Sequence, residues 1–200
     1  SGLEVDYQPA FASQIESFLA GKEFDCIVGA AHYVDGIILE RHEEYFSGKS
    51  PSEAYEPYFE RVMQVVETGW FDTLAHIDLC KRYGVRYFGR FVASDYAKQI
   101  DAILRRVVET DMTLEVNTSG SRQSPRESYP AHETLRRYKA IGGKNITVGS
   151  DCHAAGDVGT GISDALELAE AVGIDSVDTF EARRRIKLPI RVTSGAGREQ

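Results

Sequence analysis

Cysteine, proline and long apolar segments are all scarce in this sequence of 200 residues. The three cysteines, Cys26, Cys80 and Cys152, form no C-x-x-C pair and leave an odd count, which argues against a disulfide framework and favours a reducing cytoplasm. No apolar run approaches the roughly 20 residues of a membrane span, and the first residues do not resemble a signal peptide. We therefore expect a cytoplasmic protein with no membrane partner.

Positive charge is also in short supply. Lys and Arg number 23 against 31 Asp and Glu, which gives a formal net charge of −8. A nucleic-acid-binding surface usually needs a basic stripe, so we expect no nucleic-acid partner. A small anionic substrate remains compatible, because arginines or metal ions can reverse the field inside one cleft. The length suits one domain with a single sizeable core.

Short apolar segments alternate with amphipathic segments along most of the chain. They predict strands at 3–7, 26–33, 71–77, 113–117, 146–150 and 176–180, and helices at 11–20, 50–67, 94–110, 130–141 and 161–172. This alternation predicts an α/β domain built on a parallel sheet. The charged and glycine-containing residues 191–200 are predicted to form a disordered tail.

Histidines and carboxylates cluster where the predicted strands end. The carboxyl ends of parallel strands meet at one edge of a sheet, and the chemistry of α/β folds gathers there. Imidazoles and carboxylates brought by different strands suit divalent metals, which polarise a phosphoryl oxygen and lower the pKa of a bound water. The strand ends carry, in chain order, Glu4, Asp6, His32, His76, Asp78, Glu115, Asn117, Asp151 and His153.

Each of these residues also has a plainer interpretation. A lone histidine at a strand end, such as His32, is more often a hydrogen-bonded structural residue. Several such strand ends together favour a metal site, because a cluster of ionisable groups is costly without a ligand. We interpret His42 and His132 as solvated surface residues, and Cys152 as a packing residue that points away from its neighbours.

Five segments resemble, in order, successive motifs of the PHP family of metal-dependent phosphoesterases. The Asn-Thr-Ser-Gly loop with Arg122 after it, and the Phe-Glu-Ala-Arg segment at 180–183, look most like the histidinol-phosphate phosphatase branch. The resemblance covers essentially residues 1–190. The five segments are GLEVDY at 2–7, GAAH at 29–32, HIDL at 76–79, EVNTSG at 115–120 and GSDCH at 149–153.

The resemblance implies a distorted seven-stranded (β/α) barrel of the PHP type. It also implies a centre of up to three divalent metals (zinc, iron or manganese) at the carboxyl ends of the strands. By matching position, Glu4 would be a bridging carboxylate, and His32, His76, Asp151 and His153 would be metal ligands. Asp151 and His153 are also the candidates for relaying a proton to the leaving alcohol.

Arginines would contact the substrate phosphate in this branch. Arg82, just after the His76 motif, and Arg122, in the loop after the fourth strand, occupy similar places. Guanidinium groups suit the role because they grip phosphate through two parallel hydrogen bonds. Lys81 and Arg126 are second choices, and a surface ion pair is an equal alternative for Arg126.

The main departure from the family lies at the start of the sequence. PHP proteins begin with a His-x-His strand and carry further ligands before the segment that holds Glu4, and none of these residues is present. The chain is therefore either a fragment of a longer enzyme, which we favour, or a truncated relative with a reduced site; in both cases residues 1–190 would form a partial barrel that lacks about the first two βα units. Its open edge strands would need cover from the missing amino-terminal segment or from a homo-oligomer.

The function that the resemblance implies is hydrolysis of a phosphate monoester, L-histidinol phosphate, in histidine biosynthesis. Three alternatives remain open from the sequence. The first is a PHP phosphoesterase that acts on a nucleotide or another small phosphate. The others are a non-catalytic remnant that binds metal or phosphate, and a scaffold whose histidines are core residues.

Overall fold

The computed structural model describes residues 1–190, so the predicted disordered tail at 191–200 lies outside the described residues. The strands are β1 (Gly2–Asp6), β2 (Cys26–Ala30), β3 (Tyr33–Val34), β4 (Ile37–Ile38), β5 (Thr73–Leu74), β6 (Thr113–Asn117), β7 (Ile146–Gly149), β8 (Ser176–Glu181) and β9 (Arg184–Pro189). The helices are α1 (Ala12–Leu19), α2 (His42–Phe46), α3 (Pro51–Glu67), α4 (Lys81–Phe88), α5 (Ala97–Glu109), α6 (His132–Ala140) and α7 (Ile162–Ala171).

Five strands form one parallel sheet in the order β1-β2-β5-β6-β7. Asp6 is in register with Ala30, and Asn117 is in register with Gly149, so the strands end together. The predicted α/β class with a parallel sheet is confirmed. Across residues 1–190 the sheet is open, with β1 and β7 as its edge strands. Its carboxyl edge is where the candidate ligands follow the strands.

Helix α3 begins where the sequence predicts it. The Ser50 hydroxyl accepts a hydrogen bond from the Glu53 amide at 3.4 Å, and the Glu53 carboxylate accepts one from the Ser50 amide at 2.8 Å. This reciprocal capping satisfies two amide groups that the first turn leaves unpaired. Phe71 and the α3 residue Val65 pack so closely on β2 that a Cβ atom at Gly29 would overlap both side chains. A glycine is therefore required three residues before His32.

The sixth predicted strand does not join the parallel sheet. β8 pairs antiparallel with β9 instead, through a turn at Ala182 and Arg183 whose φ angles are 48° and 64°. Positive φ at both central residues matches the twist of a tight hairpin. Asp178 anchors the hairpin, since its buried carboxylate lies 2.9 Å from Lys187 Nζ and accepts a hydrogen bond from Thr113 at 3.1 Å. The prediction of six parallel strands is corrected accordingly.

Two helices lie where the sequence predicts polar connections. α2 falls between the predicted strand at 26–33 and the predicted helix at 50–67 and carries His42, while α4 follows directly after the His76 motif. α4 contains Gly84, a weak helix former, which is buried against Tyr55. Within residues 1–190, none of the helices combines the length and apolar content of a bilayer-spanning segment.

Candidate metal centre

Glu4, His32 and His76 meet at the carboxyl edge of the sheet. Oε1 of Glu4 lies 3.6 Å from Nε2 of His32 and 3.4 Å from Nε2 of His76. The two imidazole rings are 4.9 Å apart between centroids and are inclined at 70°. One ligand atom from each residue falls within 4.8 Å of the others. One carboxylate and two imidazoles at this separation fit the donor set of a zinc-type ion.

Asp6 orients His32. Its Oδ1 atom accepts a hydrogen bond from the His32 amide at 2.7 Å and lies 3.3 Å from Nδ1 of the same residue. A carboxylate behind a histidine ring fixes the ring orientation and raises its basicity as a ligand. β1 thus supplies two carboxylates on one side of the strand. Glu4 lies in the candidate site, and Asp6 contacts His32, which is itself part of that site.

His76 sits in a left-handed conformation with φ of 36° and is 2% exposed. The loop after it is fixed by the Leu79 amide, which donates to the Tyr58 hydroxyl at 3.2 Å. Burial lowers the pKa of His76, but the hydrogen bond to Glu4 and the charge of Glu115 outweigh burial and hold this pKa above its ordinary value. A cation bound here must therefore compete with a proton on His76.

The pKa values of Glu4 and Glu115 are shifted in opposite directions. Burial raises the pKa of Glu4, yet its hydrogen bond and attraction to His76 bring this pKa below the ordinary value. Burial raises the pKa of Glu115 to about 7, assisted by the charges of Glu4 and Asp151 and only partly offset by His76. Glu115 is thus the carboxylate that the site holds most easily in its neutral form.

Asp151 and His153 line the same cavity of about 360 Å³ as the three converging residues. Oδ1 of Asp151 lies 3.3 Å from Nε2 of His153, whose side chain is 86% exposed. Burial raises the pKa of Asp151, but a hydrogen bond from Asn117 and the charge of His76 hold this pKa below its ordinary value. All five predicted metal ligands therefore share one cavity, although only Glu4, His32 and His76 form the tight cluster.

The two first-choice arginines occupy different places. Arg82 lines the cavity beside Tyr83, with its guanidinium 5.1 Å from that ring, and its side chain makes no hydrogen bond or ion pair within residues 1–190. Arg122 is not among the lining residues. Its Nη2 donates to the Ser150 carbonyl at 2.8 Å and its Nε lies 3.5 Å from Asp157. Arg82 faces the candidate site directly, whereas Arg122 supports the loop after β7.

Lys81 requires a correction. Its side chain is completely buried, with Nζ 2.9 Å from Asp78 and 3.1 Å from Glu127, and it donates to the Ser128 carbonyl at 2.8 Å. An ammonium held by three oxygens and shielded from solvent is not available to a phosphate in the cavity. Arg126, the other second choice, is exposed and lies in a separate depression with Arg90.

The predictions for the other histidines and for the cysteines had mixed outcomes. His42 is half-buried and not fully solvated, because its ring stacks on Tyr83 and its Nδ1 lies 2.8 Å from the Tyr87 hydroxyl. His132 begins α6 outside the cavity. Cys152 is exposed, so its interpretation as a packing residue was wrong, because the loop after β7 turns toward solvent. All three cysteines are free.

One wall of the cavity was missed from the sequence. Ile38, the last residue of β4, lines it together with Leu39 and Glu40, which directly follow the β3–β4 hairpin. The hairpin turns at Asp35 and Gly36, whose φ angles are 53° and 77°. An Asp-Gly pair between apolar residues is a strong hairpin signal, so this wall could have been predicted.

Comparison with known proteins places the chain among phosphatases. A probable histidinol-phosphatase of Clostridium acetobutylicum is 29% identical over 186 residues, which cover 91% of this chain and 71% of the relative. A probable histidinol-phosphatase of Deinococcus radiodurans is 30% identical over 190 residues, which cover 92% of this chain and 68% of the relative.

A solved structure shares the fold. The histidinol phosphate phosphatase of Lactococcus lactis, crystallised with zinc, L-histidinol and phosphate, superposes with a TM-score of 0.79 at 24% identity and covers 92% of this chain and 70% of its own. The sequence model of the PHP domain matches residues 1–119, more than half of the chain. Together with the ordered motifs at the strand ends, this match shows that the chain belongs to the PHP domain family.

Proposed function

We propose that the chain hydrolyses a phosphate monoester, L-histidinol phosphate, to L-histidinol and inorganic phosphate, with divalent cations held at the carboxyl edge of its sheet. The observation that carries the proposal is the convergence of Glu4, His32 and His76 within 4.8 Å, at a cavity that also presents Arg82. The relatives named histidinol-phosphatases, which align over about nine tenths of this chain, support the choice of substrate.

Glu4, His32 and His76 would hold the first cation, and Asp151 and His153 would hold or share a second one. Bound zinc, iron or manganese would polarise the phosphoryl group and lower the pKa of a water molecule. The mixed nitrogen and oxygen donor set fits all three metals, and zinc has support from the ion in the Lactococcus lactis structure. A centre of up to three ions remains part of the proposal.

The chain's own groups neutralise and orient the substrate. The Arg82 side chain has no hydrogen-bond or ion-pair partner within residues 1–190, so its guanidinium is available to two phosphate oxygens. Arg122 acts at a distance in this proposal, by holding the Ser150 carbonyl next to Asp151. His153 is exposed and close to Asp151, which suits it to exchange a proton with water or with the leaving alcohol.

The other expectations join the proposal with their own support. The acidic chain with one arginine at its cavity favours a small anionic substrate over nucleic acid. Three free cysteines, one of them exposed, favour a reducing cytoplasm. Because β1 has an unpaired side among residues 1–190, cover by a further segment or by a second copy stays a prediction.

The test is phosphate release by the purified full chain. The chain is stripped of metal with a chelator, reloaded separately with zinc, manganese or iron, and given L-histidinol phosphate or a panel of nucleotides. We expect release from histidinol phosphate that disappears after chelation and in a Glu4→Gln variant but persists in a His42→Ala control. Faster release from a nucleotide would favour the broader phosphoesterase, and metal binding without turnover would favour a non-catalytic remnant.

A further inference from the structure

Asn117, the last residue of β6, holds its side-chain amide in a buried hydrogen-bond network. Its Nδ2 atom donates a hydrogen bond to Oε2 of Glu115 at 3.2 Å. Its Oδ1 atom accepts from the Ser119 amide at 3.0 Å. Asn117 is completely buried, and both its amide nitrogen and its amide oxygen have hydrogen-bond partners. The side chain therefore has a single favourable orientation.

Ser119 extends this network to the next strand. Its hydroxyl lies 2.7 Å from Oδ1 of Asn117 and 3.2 Å from Oδ2 of Asp151, and the residue is 1% exposed. One hydroxyl hydrogen faces two acceptors, and an ionised carboxylate is the stronger of the two. The Ser119 hydroxyl, in the turn after β6, therefore holds Oδ2 of Asp151. Oδ1 is the atom near His153.

The loop that carries Asp151 gives it little support of its own. Asp151 has φ of 44°, and residues 152–156 after it are exposed. The end of β6, in contrast, is fixed by backbone pairing, because Asn117 is in register with Gly149 and the Thr118 amide donates a hydrogen bond to the Gly149 carbonyl at 2.8 Å. The orientation of the carboxylate therefore depends on the turn after β6 more than on its own loop.

We propose that Asn117 and Ser119 are positioning residues that aim the Asp151 carboxylate at the metal centre. The inference rests on the proposed metal-dependent function, and it assigns a role to the Asn-Thr-Ser segment that does not involve touching metal or substrate. Groups that orient a metal-binding carboxylate from behind typically change metal affinity by about 10- to 100-fold when they are removed.

The experiment measures zinc affinity of the full chain by competition with a chromogenic chelator. Ser119→Ala and Asn117→Ala should weaken zinc binding by about 10-fold or more. Ser121→Ala, at an exposed serine two residues away, and Asn145→Ala, at a buried asparagine bonded to Asp111 and Lys187, are the matched controls and should retain the parent affinity.

An Asp151→Asn background isolates the mechanism. There, Ser119→Ala should change zinc affinity by less than about twofold, because the group that it positions has lost its charge. Parent-like affinity in the Ser119→Ala protein overturns the proposal even if Asn117→Ala fails to fold, and so does an equal loss in the Asn145→Ala control. A parent chain that binds no zinc overturns the metal centre itself, a result distinct from variants that match a zinc-binding parent.

Discussion

Oε1 of Glu4 lies 3.4 Å from Nε2 of His76, although 72 residues separate them in the chain. The contact exists because β1 and β5 both pair with β2 and end at the same edge of a parallel sheet. His32, which follows β2 between them, completes the cluster. The fold thus brings together donor atoms that are far apart in the sequence.

Glu4→Gln should weaken zinc affinity by more than about 100-fold, because it removes a direct ligand and not merely a supporting group. Isothermal titration of the metal-free chain with zinc checks this. The exposed Glu16 on α1 provides the matched control, and Glu16→Gln should bind zinc as the parent does. Unchanged zinc affinity in Glu4→Gln would place the metal elsewhere.

Glu115 should make the metal-free protein less stable as pH rises. Its pKa is about 7 in the fold against an ordinary value of 4.5, so between these pH values the unfolded chain releases a proton that the folded chain retains. The free energy of unfolding should fall across that window, by up to about 3 kcal/mol, and level off above it.

Urea unfolding of metal-free Glu115→Gln checks this pH dependence. The variant should gain stability over the parent at pH 8 and show no gain at pH 4.5, whereas Glu60→Gln, at an exposed helical position, should follow the parent at both. A gain of equal size at both pH values would mean that packing and not charge is responsible.

Lys81→Met should destabilise the fold by about 3–5 kcal/mol, because it leaves the buried Asp78 carboxylate without its ion-pair partner. Chemical denaturation measures the loss. Lys98→Met, at an exposed position on α5, should stay within about 0.5 kcal/mol of the parent. If Lys81→Met kept full stability and lost only affinity for phosphate, Lys81 would be a substrate contact after all.

Arg82→Met should lower kcat/KM for histidinol phosphate by about 100-fold, since a positioned donor to the developing phosphate charge is lost. Its free energy of unfolding should change little, because within residues 1–190 the guanidinium makes no hydrogen bond or ion pair and only contacts the Tyr83 ring. Arg86→Met, one turn further along α4, is the control and should retain activity. Equal losses in both variants would indicate a general effect of helix charge.

Much of this arrangement follows from local sequence rules. β1, β6 and α3 lie where periodicity and capping place them, and the strand ends alone predict that Glu4, His32 and His76 gather at one edge. These features depend on residues close in sequence or on the single rule that parallel strands end together.

The remainder depends on contacts between distant segments. Lys81 looks like an accessible cation until Asp78 and the turn at 127–128 enclose it. The β8–β9 hairpin turns at Ala182-Arg183, which carries neither the glycine nor the asparagine of a recognisable turn. The hydrogen bond between Ser119 and Asp151 joins two residues that are 32 positions apart and that follow different strands.

Anomalous diffraction from zinc-soaked crystals of the full chain tests the central claim most directly. The result expected is a zinc peak about 2.0–2.2 Å from a Glu4 oxygen and from ring nitrogens of His32 and His76, within the cavity that Asp151 and His153 also line. Zinc bound only at other positions, with no peak beside Glu4, would contradict a metal centre built from the ends of these strands.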